Sequence, residues 1–132
     1  HMYKAVVAEG ARNRVVAMDS ITLVGAEDEG AMVVSGSHGG TSSGEIALEI
    51  PLAAVFFNDA GIGKDDAGVA ALAMLQARGI AAGTVAHTSA RIGDAQDIWA
   101  HGVISRVNAA AAALGCVPGR PLRETLAALV SG

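Results

Sequence analysis

Three short apolar runs constrain this chain more than any other feature: Ala31-Met32-Val33-Val34, Leu52-Ala53-Ala54-Val55-Phe56-Phe57, and the stretch from Ile80 to Ala86. Each is shorter than an ordinary helix, shows no polar alternation, and gives way to glycine and polar residues. A strand buried on both faces has that signature. Between the first two runs, Ile46, Leu48 and Ile50 alternate with Ala47 and Glu49. That pattern fits a helix or a strand, and the Thr41-Ser42-Ser43 segment favours a helix start. Between the second and third runs, Val69, Leu72 and Leu75 follow helical spacing behind Asp65 or Asp66 as cap, with Gly79 as the stop. Strand, helix, strand, helix, strand in this order predicts a mainly parallel sheet covered by helices.

The flanks add to that frame. Ala5-Val6-Val7 and Val15-Val16 surround the polar Glu9 to Asn13 stretch and read as a hairpin-like entry. Asp94 can cap a short helix through Trp99, stopped by Gly102. Val103, Ile104, Val107, Ala111 and Leu114 recur at helical spacing and predict a further helix up to Gly115. Pro118 and Pro121 then break the chain before a last helix carrying Leu122, Leu126 and Leu129. The expected fold is a compact layered α/β domain with a mainly parallel central sheet, flanking helices and a small N-terminal β portion. No repeat or linker divides residues 1–132, so one domain is expected, with His1 ahead of Met2 read as a cloning remnant.

Composition removes several function classes. Of 132 residues, 52% are apolar, which argues for a packed core and against intrinsic disorder. Nine Lys and Arg against thirteen Asp and Glu give a formal charge of −4, the wrong sign for coating nucleic-acid phosphates. Tyr3, Phe56, Phe57 and Trp99 are the only aromatics, too few to form stacking platforms for single strands. Cys116 is the single cysteine, so no internal disulfide forms and no Cys/His metal cage is expected. No apolar run reaches a membrane-spanning length, and no leader follows Met2; a cytoplasmic protein without a membrane partner is expected. High apolar content on a glycine- and alanine-rich chain also predicts a homo-oligomer.

If the three runs are parallel strands, the loops after them share one sheet edge, where open α/β sheets bind ligands at a topological switch point. Those loops are Ser37-His38-Gly39-Gly40, the segment Asn58 to Asp66, and the segment Ser89 to Asp94. They concentrate His, Asp, Lys and Arg where simple connectors need only Gly, Asn or Ser. The opposing reading is that every α/β protein has polar loops at both edges.

His38 is the candidate general base, against a plain surface-loop histidine. Gly39 and Gly40 offer unobstructed N–H groups to an oxyanion or phosphate. His38-Gly39-Gly40 resembles the His-Gly-Gly oxyanion segment of α/β-hydrolases, but the chain lacks a Gly-x-Ser-x-Gly nucleophile elbow and that family is not assigned. Gly61, Gly63 and Lys64 before a helix suggest phosphate binding. Asn58 and Asp65, however, stand where a P-loop needs Gly and a hydroxyl. Nor do Gly61 and Gly63 complete a dinucleotide fingerprint, since Asp66 occupies the third glycine position. Asp59 is an orienter of His38, a ligand-binding carboxylate, or a turn residue accepting local N–H bonds.

In the third loop Arg91 is the expected anion clamp, against an ion pair with Asp94 or Asp59, and Ser89 lies beside it. Ser105 and Asn108 are expected on a solvated helix face, with reach into the site as the other reading, Cys116 as a packing thiol, and His87 and His101 as loop and helix-end residues. Together these residues predict an enzyme for a small anionic, carbonyl-containing metabolite: a hydrolase or lyase independent of metal and cofactor. His38, Asp59 and Ser37 would be catalytic, and Gly39, Gly40, Asn58, Gly61, Gly63, Lys64, Ser89 and Arg91 would bind substrate. Either Ser37 or Ser89 could supply a nucleophile, although an activated water needs fewer assumptions. The alternative is a non-catalytic small-anion-binding or interaction subunit of an oligomer.

Overall fold

The computed structural model describes residues 2–132. It contains six strands in one sheet: β1 (Lys4–Glu9), β2 (Arg14–Met18), β3 (Met32–His38), β4 (Ala54–Asn58), β5 (Ala81–Val85) and β6 (Ile104–Val107). Five α-helices accompany them: α1 (Thr41–Ala47), α2 (Ala70–Gln76), α3 (Ala95–His101), α4 (Ala109–Leu114) and α5 (Leu122–Ser131). β1 and β2 form the antiparallel N-terminal hairpin, β2 to β5 are parallel, and β6 returns antiparallel beside β5. This is the expected α/β architecture. No helix among the described residues is long and apolar enough to cross a membrane.

The continuous apolar runs become the central strands because both sides of the sheet are covered. Val15, Ala17, Met32, Val34, Ala54 and Phe56 face one core, which Ile98 and Trp99 of α3 and Leu122 and Leu126 of α5 complete. Val16, Met18, Val33, Val55, Phe57 and Ala82 face the other, closed by Ala47 of α1 and by Ala71, Leu72 and Leu75 of α2. Strand order follows chain order from β1 to β6. The sheet therefore has no reversal of strand order, and the expected topological switch point does not exist. Any ligand site at this edge has to be built by the loops.

Two further expectations need correction. Asp65 and Asp66 do not cap α2: they sit in a 3-10 segment at Lys64–Val69 with φ of 56° and 57°, and α2 starts at Ala70 without a side-chain cap. The first turn of α2 is instead tied to the sheet edge by the Ala71 N–H, which donates to the Gly39 carbonyl. The helix expected from Val103 to Leu114 divides into β6 and α4. Val103, Ile104 and Val107 are β-branched and follow Gly102, while Asn108 begins a new element by capping α4 through Ala111 N–H. The remaining terminators behave as expected. Asp94 accepts from Asp97 N–H to cap α3, and Gly115 closes α4 at φ 99°.

Candidate functional site

The parallel strands end at Met18, His38, Asn58 and Val85, so their following loops lie on one edge. The loop from Ala86 to Asp94 runs across this edge from β5 back to β2 as a strap. Asn58 Nδ2 donates to Ala90 O at 2.9 Å, above β4. Above β3, Gly93 N–H donates to Gly36 O at 2.7 Å, and at β2 Ala95 N–H donates to Asp19 Oδ1 at 2.9 Å. The first and second loops are joined as well, by Gly39 N–H to Asn58 O at 3.1 Å. Thus the three sequence-predicted loops meet.

Gly36 is essential to this strap. A Cβ there would land on the Asp19 carbonyl and against the Gly93 backbone. Gly36→Ala is expected to destabilise the protein by about 2 kcal/mol through overpacking, read as a lower urea midpoint with unchanged m-value.

Asp59 forms the electrostatic centre of the edge. It is 4% exposed, and its Oδ1 accepts from Gly61 N–H at 2.8 Å and from His87 N–H at 3.0 Å. His87 Nδ1 lies 3.4 Å from the same oxygen, while the His87 side chain is 55% exposed. Burial alone would lift the Asp59 carboxyl. The Gly61 N–H, the Ser105 hydroxyl, the His87 N–H and the His87 ring outweigh burial and hold it below the ordinary aspartate value. Ser105 is itself bonded to the buried Thr84 hydroxyl at 2.8 Å. Asp59 therefore stays ionised at neutral pH beside an imidazole open to solvent.

The structure divides the predicted residues by role. The histidine facing Asp59 is His87; no hydrogen bond joins Asp59 to His38, whose exposed ring lies against Gly40. Asn58 is fully buried and structural, accepting from Ala60 N–H and donating to Ala90 O. Ser89 is likewise occupied, donating to Ala86 O and accepting from Val103 N–H. Ser37 accepts from Ile21 N–H at 3.0 Å. The N–H groups of Gly39, Gly61 and Gly63 donate to Asn58 O, Asp59 Oδ1 and Gly61 O, and are engaged within the edge; Gly40 N–H has no such acceptor among the described residues.

The guanidinium of Arg91 and the ammonium of Lys64 are exposed and make no side-chain hydrogen bond or ion pair among the described residues, so the alternative to an anion clamp, an ion pair of Arg91 with Asp94 or Asp59, does not form. No protein-family model, curated protein or solved structure matches this chain.

Two residues outside the predicted site need comment. His87 stands two residues beyond β5, the signal used for the other loop residues, but its alignment with Asp59 depends on a β4–β5 register that sequence does not display. Ser105 reaches Asp59 because it stands on a strand, not on a helix face. Asn108 and Cys116 lie elsewhere: Asn108 is a buried junction below β5, and Cys116 is a buried thiol whose pKa burial raises. No cluster of three His, Cys, Asp or Glu side chains among the described residues has metal-ligand geometry.

Proposed function

We propose that this edge is the active site of an enzyme acting on a small anionic, carbonyl-containing metabolite by hydrolysis or by a lyase reaction. One observation carries the reading: a buried, ionised Asp59 lies beside the exposed imidazole of His87 at the carboxyl ends of the parallel strands. A general base needs an accessible nitrogen, and a neighbouring carboxylate stabilises the imidazolium formed when it takes a proton. His87 takes the proton from a water or a substrate carbon, Asp59 steadies the charged ring, and Arg91 on the same strap holds the substrate anion. His38 ranks behind His87 because no carboxylate is paired with its ring among the described residues.

A panel of small esters, lactones and hydroxy or oxo acids tests the reading. Turnover is expected for at least one anionic member, with a single-ionisation acidic limb in its pH profile. Arg91→Ala should raise KM about tenfold while changing kcat little, as loss of a charge-assisted contact made equally in ground and transition states requires. Tight anion binding without turnover would favour a binding subunit. No response to the panel would sink the proposal.

A further inference from the structure

On the β2 side of the same edge, a cleft of about 370 Å³ opens between the 3-10 turn Ile21–Leu23, the end of β3, α1 and the strap at Ile92-Gly93. Its apolar wall is made by Ile21, Ile46 and Ile92, the last 53% exposed at the mouth. Neither Asp59 nor His87 lines it.

Ser43 gives the cleft a chemical preference. The residue is only 6% exposed, and its hydroxyl makes no hydrogen bond among the described residues. Among the described residues no fully buried side-chain oxygen lacks a partner, so the accessible part of Ser43 Oγ opens into the cleft it lines. A hydroxyl so enclosed favours a ligand group that completes its hydrogen bond. The neighbouring Ser37 hydroxyl accepts from Ile21 N–H and retains its own proton for donation.

Charge then narrows the ligand class. Among the described residues, Asp19 and His38 are the ionisable ones lining the cleft, and neither Lys nor Arg is with them. Asp19 already accepts from Ala95 N–H and Tyr3 N–H. An anion would face this carboxylate without a fixed cation, an ammonium would meet a carboxylate that already accepts a backbone N–H on each oxygen, and the Ser43 hydroxyl, able both to donate and to accept, suits an uncharged carbonyl or hydroxyl group. We infer that the cleft is a second binding site, for a small uncharged aliphatic molecule bearing a carbonyl or hydroxyl group. Ser43 hydrogen-bonds that group and the isoleucines enclose its branched end. This site stands independently of proton transfer at His87.

Three probes of nearly one shape and different charge test it: isovaleramide, isovalerate and 3-methylbutylamine, each titrated into the ¹⁵N-labelled protein and followed by NMR. Isovaleramide is expected to bind with millimolar affinity, in keeping with about seven non-hydrogen atoms. It should shift the amides of Gly36, Ser43 and Gly93 while leaving those of Gly61 and His87 in place. The two charged probes should bind at least tenfold more weakly. Ser43→Ala should weaken isovaleramide about fivefold, as loss of one hydrogen bond implies. Ile92→Ser, at an exposed position that cannot compromise the core, should weaken it about threefold or more. Absence of cleft shifts with isovaleramide, a stronger response to either charged probe, or full affinity in both variants would overturn the inference.

Discussion

Replacing Asn108 with alanine is expected to lower the unfolding free energy by about 3 kcal/mol. The Asn108 side chain is 9% exposed and serves three elements at once. Its Oδ1 accepts from Ala82 N–H in β5 and from Ala111 N–H in α4, while Nδ2 donates to Leu72 O in α2 and Ile80 O before β5. Alanine removes all four bonds and leaves buried donors and acceptors with no substitute. Loss of the helix cap alone costs about 1 kcal/mol, and an unpaired buried polar group costs about 1–3 kcal/mol more. Asn108→Asp keeps the two accepted bonds but turns a carboxylate toward two carbonyls, so it should destabilise as well. Urea unfolding of both variants measures the effect; a change below 1 kcal/mol for alanine would remove Asn108 from this role.

The same residue shows where sequence pattern stops being informative. The central strands were legible because residues buried on both faces leave uninterrupted apolar runs, and β3, β4 and β5 fall where those runs lie. The segment from Val103 to Leu114 is different, since one apolar spacing satisfies a helix and also a short strand joined to a helix. Only the pairing of Gly83 with Val107 and of Thr84 with Arg106 decides between them. Likewise, the Asp65-Asp66 pair has the chemistry of a cap. Its placement is set by tertiary contact: Gly68 packs so closely on the Asp59 carbonyl that a Cβ there would overlap it.

The candidate site was legible in its location and not in its pairings. Polar loops after parallel strands necessarily share an edge, and the strap from Ala86 to Asp94 draws them together. Glycine abundance suggested free N–H donors, yet those of Gly39, Gly61 and Gly63 hold the loops to one another. A sequence shows which backbone groups lack side-chain obstruction; it does not show which already have acceptors. Similarly, Asp59 directly follows Asn58, which is paired with His38 of β3 on one side and Val85 of β5 on the other. The tight Asp59 turn, with Gly61 N–H and His87 N–H on one oxygen, directs the carboxylate to the β5 side.

That orientation makes His87 and Asp59 the decisive pair for the proposed activity. His87→Ala is expected to reduce kcat/KM by a factor on the order of 10²–10⁴, the contribution of a positioned general base. Asp59→Asn should cost on the order of tenfold to a hundredfold, because a neutral amide can still accept the Gly61 and His87 N–H bonds but no longer stabilises an imidazolium. The folded Asp59 carboxyl lies below its unfolded value of about 3.9, so its ionisation favours the native state above that pH and the benefit disappears as pH falls through the folded value. Acid unfolding should therefore be shallower in Asp59→Asn. At neutral pH Asp59 is ionised throughout, and the acidic limb of the rate profile should vanish with His87→Ala while persisting in His38→Ala. A limb that disappears in His38→Ala and survives in His87→Ala would transfer the base to β3 and leave Asp59 with a structural task alone.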